Sequence, residues 1–410
     1  MSKEKELTVA LFTPTHNTKY LQELYNSIKN QNFTEWIIVY NNGAKPIDFH
    51  DERIKSFTLE FAPKWVGPLK AYACEQSNCQ ILIEMDHDDF LMPTAIEDVR
   101  KAFEDPEVGF VYSNTIHCMG DYSKVQRFDE VYGWRYREVN VNGHILDEHI
   151  SFPPDPNSIS RIWFAPNHLR AFRKTAYDKV GGYNKEMRIL DDLDLMCKLY
   201  RVTKFKHIDK GLYVYRIHGE NTWLKYNEEI QNNVYRIYDQ YIESLALRWA
   251  DINGLRKLDL GGGIDGDSKN YETVDLVNGD IKCDLNGRWC FADNSVGVIR
   301  ALDVFEHLKD SVHTMKELYR VLAPNGYALI QVPSTDGRGA FQDPTHISFF
   351  NENSFHYYIN KEMSRYIYTP VRFQAMRLYT TEKNNMEVCW TVAHLVKLVE
   401  GERYPGIVLI

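Results

Sequence analysis

Three things are scarce in this sequence, and each absence narrows the reading. Long apolar runs are missing. Nothing approaches the roughly 20 residues that cross a bilayer, and the apolar stretch that follows MSKEKE is shorter than a secretory h-region. A cytoplasmic protein without a membrane span is therefore expected. Paired cysteines are missing as well. Seven stand scattered at positions 74, 79, 118, 197, 283, 290 and 389. The number is odd and no zinc-ribbon spacing occurs, so the thiols read as reduced and buried. Positive charge is not in excess: 48 Lys and Arg face 57 Asp and Glu, a formal net charge of −9. No general affinity for phosphate backbones is written into such a surface. Repeats and low-complexity segments are lacking too.

What is present is alternation. The 410 residues leave room for two domains. Strands are expected at 7–13 (LTVALFT), 36–40 (WIIVY), 81–85 (ILIEM) and 108–112 (VGFVY), and Leu21, Leu24, Tyr25 and Ile28 mark one helix face. The pattern predicts an α/β fold with a mainly parallel sheet. It weakens between about 113 and 160, where FPPDPNS (152–158) punctuates a loop, so an inserted lid or acceptor-binding region is expected there. A helix is expected over 226–246, after which RKLDLGGGIDGDS opens a second strand-turn unit. The expected domains are 1–248 and 249–410.

In ILIEMDHDDFLMP (81–93) a buried strand runs directly into four acidic or imidazole-bearing residues. Ligands of open parallel sheets bind beyond the carboxyl ends of strands, and Asp86 and Asp88 offer hard oxygens suited to Mg²⁺ or Mn²⁺. The spacing alone serves equally a solvated turn in which Asp89 caps the helix at 94–104. Likewise Asp191, Asp192 and Asp194 suit the first turn of any helix, and His218 suits a structural histidine. His87 reads as a packing residue.

The order of segments adds what no one of them carries. TPTHN (13–17), WIIVYNNG (36–43), DHDD (86–89), FAPNHLRAFRKTAYDKVGGYN (164–184), LDDLDLMCKL (190–199) and YRIHGENTW (215–223) together resemble family 2 glycosyltransferases of the GT-A fold, over about residues 7–223. The resemblance implies a nucleotide-sugar site with Thr13, Pro14, Asn41, Asn42, Asp86 and Asp88. It implies a divalent metal (Mn²⁺ or Mg²⁺) on Asp86, Asp88 and His218, and Asp192, with Asp191 beside it, as the catalytic acid motif. Asp192 is then the general base in a single displacement with inversion, a reaction that also needs a cation on the departing diphosphate. Two residues depart from the family pattern. Asn41-Asn42 stand where two aspartates are usual, which leaves the base open with UDP as the default, and His16 replaces a common tyrosine.

In the second half, LDLGGGIDGDS (258–268), DNSVGVIRALDVFEHLKD (293–310) and ELYRVLAPNGYALIQVPS (317–334) resemble class I S-adenosylmethionine-dependent methyltransferases, over about 255–360. The resemblance implies a Rossmann-like domain. Asp259, Gly261 and Gly263 would shape the methionine pocket, Asp275 would bind the ribose, and Asp284 would lie near the adenine. Asp303, Glu306 and His307 would face the methyl acceptor. Asp265 departs from the pattern, standing where a third glycine is frequent. His346 reads as a methyl-transfer base or a structural residue.

The expected activity is a glycosyltransferase, coupled in one reading to S-adenosylmethionine-dependent O-methylation. The alternatives are a methyltransferase with a nucleotide-sugar-binding module, or a non-catalytic subunit of a glycan-synthesis complex. A glycan, a lipid-linked sugar, a protein or a hydroxymethylated DNA base each presents a hydroxyl acceptor. The low basicity weighs against DNA.

Overall fold

Residues 6–59, 65–130, 133–160, 167–219, 221–263 and 266–398 are described by a computed structural model. Residues 164–166 of the FAPNHLR segment, Glu220, and Ile264 with Asp265 lie outside them. The chain divides into two units, Met1–Tyr241 and Ile242–Ile410. The division falls within the helix Asn227–Ile252, whose buried residues include Ile230, Val234, Ile237, Tyr241 and Leu245 at helical spacing.

In the first unit the apolar runs become strands: β1 (Val9–Thr15), β2 (Glu35–Tyr40), β3 (Ile54–Thr58), β4 (Ile81–Glu84), β5 (Phe90–Leu91), β6 (Val108–Met119), β7 (Tyr136–Val141), β8 (His144–His149), β9 (Arg170–Arg173) and β10 (Lys204–Ile217). Every residue of β1, β2 and β4 is buried, as parallel strands covered on both faces require. The sheet order is β3-β2-β1-β4-β9-β6-β10-β5, with the β7–β8 hairpin attached to β6. Strands β1 to β4 pair in parallel, while β9 runs antiparallel between β4 and β6. The helix Leu21–Ile28 covers the sheet through Leu21, Leu24 and Ile28.

The stretch 113–160 contains more regular structure than its pattern suggests. β6 continues to Met119, and β8 folds back against it, pairing Thr115 with His149 and His117 with Asp147. The periodicity is hidden because β6 buries Ser113, Asn114 and Thr115. Their polar groups are met inside: the Ser151 N–H donates to Asn114 Oδ1 at 2.9 Å, and Asn114 Nδ2 donates to Glu148 Oε1 at 2.7 Å.

Asp89 does not cap the next helix. Phe90 and Leu91 pair with β10, so the helix starts only at Ala95 behind Thr94, without a side-chain cap bond. Asp89 is instead buried, and its carboxylate accepts from the Tyr213 hydroxyl at 2.8 Å and the Arg216 N–H at 2.7 Å.

The second unit contains β11 (Arg256–Leu260), β12 (Glu272–Asp275), β13 (Ile281–Lys282), β14 (Val296–Leu302), β15 (Leu322–Pro333), β16 (Phe373–Thr380) and β17 (Trp390–Lys397). Their order is β13-β12-β11-β14-β15-β17-β16, parallel as far as β15 and antiparallel for the last two. This is a Rossmann-like sheet with its crossover between β11 and β14, the switch point at which such sheets take ligands. All seven cysteines are free thiols. Among the described residues no helix is long and apolar enough to cross a membrane.

Candidate functional site

β4 ends at Glu84 and hands the chain to Asp86–Asp89, beside the end of β10. Four bonds staple the two segments. The Asp86 N–H donates to the Tyr213 hydroxyl at 3.1 Å, Arg216 Nε donates to the Asp88 carbonyl at 3.0 Å, and Asp89 accepts from Tyr213 and Arg216 as described. Arg216 is buried, lies 4.2 Å over the Tyr20 ring and donates to Glu23 at 2.8 Å. The staple carries Asp88 to His218: the carboxylate oxygen lies 2.7 Å from Nε2.

Asp86 does not join that pair. Among the described residues the donor atoms of Asp86, Asp88 and His218 do not all lie within 4.8 Å of one another. Asp86 faces His168 Nε2 at 3.8 Å and is about a third exposed (34%). Desolvation pushes its carboxyl up, against the pull of Lys70. The His87 ring meets His16 edge-on at 4.9 Å, consistent with a packing role.

Behind this edge lies a buried charge cluster. Lys70 Nζ lies 2.5 Å from Glu84 and 3.2 Å from Asp191, and Arg170 Nη1 lies 2.5 Å from Asp192 and 3.5 Å from Glu84. Gly67 lies against the Asp191 side. A Cβ there would sit 3.0 Å from the Asn184 carbonyl and 3.3 Å from Asp191 Cβ, so a side chain at 67 would press those neighbours aside by a few tenths of an ångström. The two acids of LDD differ. Asp191 is enclosed, and desolvation raises its carboxyl while Lys70 lowers it. Asp192 keeps 20% of its side chain exposed, with one oxygen on Arg170 and the other accepting the Leu193 N–H at 2.8 Å. Leu190 precedes them at φ +62°, a strained setting for a branched residue.

At the other end of the edge, Asn41 follows β2. It is buried, and its Oδ1 has no hydrogen-bond partner among the described residues. Asn42 turns the chain at φ +49°, which asparagine tolerates. Thr13 is engaged inside: its hydroxyl accepts from Trp36 Nε1 at 2.9 Å. Pro14 lies beside it within β1.

In the second unit, Gly261 follows β11 at φ +69°, and a Cβ there would lie 2.5 Å from Val304. Gly263 faces Asp275, with a virtual Cβ 3.3 Å from Oδ2. Asp275 Oδ1 accepts the Val277 and Asn278 N–H groups at 2.7 and 2.9 Å, bonds that hold the carboxyl below its usual range. Asp259 is engaged within the fold. Arg300 binds it through both oxygens at 3.0 and 2.6 Å, and it accepts the Asp267 N–H at 3.1 Å. Asp284 lies two residues past β13 in a turn closed by the Asn286 N–H at 2.9 Å. Asp303 follows β14 at φ +54°.

Lys70, Glu84, His168 and Arg170 escape a reading of motifs. Glu84 carried a signal, a carboxylate within an otherwise apolar strand, and His168 and Arg170 lie in the FAPNHLRAFRK segment; Lys70 sits in what looks like an ordinary helix.

Comparison with known proteins agrees with this architecture. Residues 10–181 match the family model described as Glycosyl transferase family 2, and residues 229–362 match one described as Methyltransferase domain. The chain is 22% identical over 253 residues to chondroitin synthase of Escherichia coli, covering 58% of this chain and 33% of that protein. It is 26% identical over 241 residues to chondroitin synthase of Pasteurella multocida (57% and 23% covered). To hyaluronan synthase of the same species it is 24% identical over 260 residues (61% and 25% covered). The chain thus spans a third or less of these relatives' length. Among solved structures, S. aureus TarS 1-349 in complex with UDP-GlcNAc aligns with a TM-score of 0.43 at 15% identity, covering 60% of this chain and 72% of that one. The protein is thus a mixed α/β chain in two parts. Residues 10–181, within its first unit, are similar to family 2 glycosyltransferases, and residues 229–362, which lie mostly in the second, are similar to a methyltransferase domain.

Proposed function

We propose that the first unit moves a sugar from a nucleoside-diphosphate donor to an acceptor hydroxyl, with inversion at the anomeric carbon. The observation that carries this reading is the gathering of acid, imidazole and amide groups along one sheet edge, Asn41 beyond β2, Asp86 and Asp88 beyond β4 and His218 beyond β10. Asp192 is the base: it is the partly exposed acid of its pair, and it takes the hydroxyl proton as that oxygen attacks the anomeric carbon. The bond to the diphosphate oxygen breaks, and its electron pair leaves with the nucleotide. Asp191 stays inside as the counter-ion of Lys70. The orphaned Oδ1 of Asn41 suits a nucleobase N–H, with Asn42, Thr13 and Pro14 shaping the recess; a UDP-sugar is the default donor.

The pair fits a divalent cation, since Asp88 and His218 already meet as a carboxylate and an imidazole, while Asp86 stands apart facing His168. Mn²⁺ or Mg²⁺ held there would neutralise the departing diphosphate. The names of the relatives, chondroitin and hyaluronan synthases, favour a glycan acceptor.

For the second unit we infer S-adenosylmethionine binding. Gly261 lets the turn pack closely on Val304, Gly263 keeps space open beside Asp275, and Asp275 keeps an ionised oxygen there for ribose hydroxyls. Asp259 fixes the loop through Arg300, Asp284 flanks the adenine end and Asp303 the acceptor end. S-adenosylmethionine would supply a methyl group for a sugar hydroxyl. Calorimetry on the full chain separates the readings. Binding of both a nucleotide sugar and S-adenosylmethionine, with Asp275→Ala weakening only the latter, supports the pair. Heat from S-adenosylmethionine alone would overturn the first unit's assignment, and heat from neither would overturn both.

A further inference from the structure

A third cluster of donor groups lies in the second unit and takes no part in the site just described. Glu306 and His307 sit in one 3-10 turn, Phe305–His307, immediately after β14. His346 comes from a distant loop that is pinned to the same turn, because the N–H groups of Ile347 and Ser348 both donate to the Glu306 carbonyl at 2.9 Å. One ligand atom from each of the three residues lies within 4.8 Å of the other two.

Two observations point to a missing partner. The Glu306 side chain is 2% exposed, and neither carboxylate oxygen has a hydrogen-bond partner among the described residues. A buried carboxyl with both oxygens unmet is costly. Its neighbour, His346 Nε2, stands 3.9 Å away, too far for a hydrogen bond and also 3.9 Å from Asp343.

The second observation is the way both rings are held by their other nitrogen. His346 Nδ1 lies 3.1 Å from the Ala340 carbonyl. His307 Nδ1 lies 3.3 Å from the Thr345 carbonyl and 3.1 Å from the Thr345 hydroxyl, which itself donates to Asp343 at 2.7 Å and so has a lone pair for the ring N–H. An imidazole that gives its Nδ1–H to a carbonyl presents a neutral Nε2, the tautomer and orientation of a metal-ligating histidine.

We propose that Glu306, His307 and His346 hold a divalent first-row transition-metal ion in the second unit. Two imidazoles and a carboxylate suit Zn²⁺, Co²⁺ or Mn²⁺ better than Ca²⁺, which takes oxygen throughout. Ligand bonds of about 2.0–2.2 Å would draw the present spacings inward by several tenths of an ångström. The remaining coordination positions take oxygen, from water or from a hydroxyl of a bound molecule.

The test uses the full chain carrying Asp88→Asn, so that the first unit's cation site is disabled, stripped with a chelator and titrated with Co²⁺. One equivalent is expected to bind with visible d–d absorption. His346→Ala and His307→Ala, each added to Asp88→Asn, are expected to weaken that binding at least about tenfold. His307→Ala is the variant least exposed to folding failure, because its side chain lies toward the rim rather than in the core, and circular dichroism checks it. Absence of Co²⁺ binding to the Asp88→Asn chain, or equal affinity with His307→Ala added, would overturn the proposal.

Discussion

Lys70 sets the balance of the buried cluster. It and Arg170 face Glu84, Asp191 and Asp192, and all of these groups but Asp192 are enclosed. Lys70→Met leaves two buried carboxylates without their cation and is expected to cost about 3–5 kcal/mol, read from urea unfolding. Unchanged stability would mean that the cluster is solvated. The two adjacent acids should separate cleanly. Asp192→Asn is expected to lower turnover by roughly 10²–10⁴ with donor binding retained. Asp191→Asn should act on stability, because its carboxylate points at Lys70. Little of this balance was legible from motifs: LDD announced the acids, but Lys70 comes from a helix with no signature of its own, and Arg170 from the FAPNHLRAFRK segment, where nothing marked it as their counter-ion. Asp89 shows the opposite failure. The sequence offered it as a helix cap, and two further strand residues before Pro93 sent it inward instead.

Among the elements, the strands over 9–15, 35–40 and 81–84 lay open in the sequence because buried parallel strands are unbroken apolar runs. The continuation of β6 and the β7–β8 hairpin were not, since burial there falls on Ser, Asn, Thr and His residues paired within the fold. His117 of β6 and His149 of β8 meet with ring centroids 3.7 Å apart and planes tilted by 33°. Burial, helped by Arg127, pushes His149 down to about 3. Such a histidine takes up a proton on unfolding, so the stability present above its unfolded pKa is lost as pH falls from about 6.5 toward the folded value. Between pH 7 and 5 the loss should be about 2 kcal/mol for this residue. His149→Gln should flatten that part of the pH profile in denaturant titrations; an unchanged slope would place the proton elsewhere. The staple between the Asp86–Asp89 loop and β10 makes a separate prediction. Arg216→Ala removes the bonds to the Asp88 carbonyl and Glu23 and should raise the KM for donor more than it lowers kcat.

Taken whole, the molecule joins two sheets that each present chemistry at the carboxyl ends of their strands. The alternation of strands and helices announced both. The sheet order of the second unit, with its antiparallel β17 inserted before β16, was not readable, because long-range pairing leaves no local trace. Donor identity turns on Asn41 and Asn42, whose amides both donate and accept. The central claim is nucleotide-sugar transfer by the first unit, and a donor screen tests it most directly. Purified full chain is incubated with a panel of nucleotide sugars and Mn²⁺, and released nucleoside diphosphate is read by mass spectrometry. Release from one donor, lost in both Asp88→Asn and Asp192→Asn, is the predicted result. Equal release from the wild type and both variants would contradict the account.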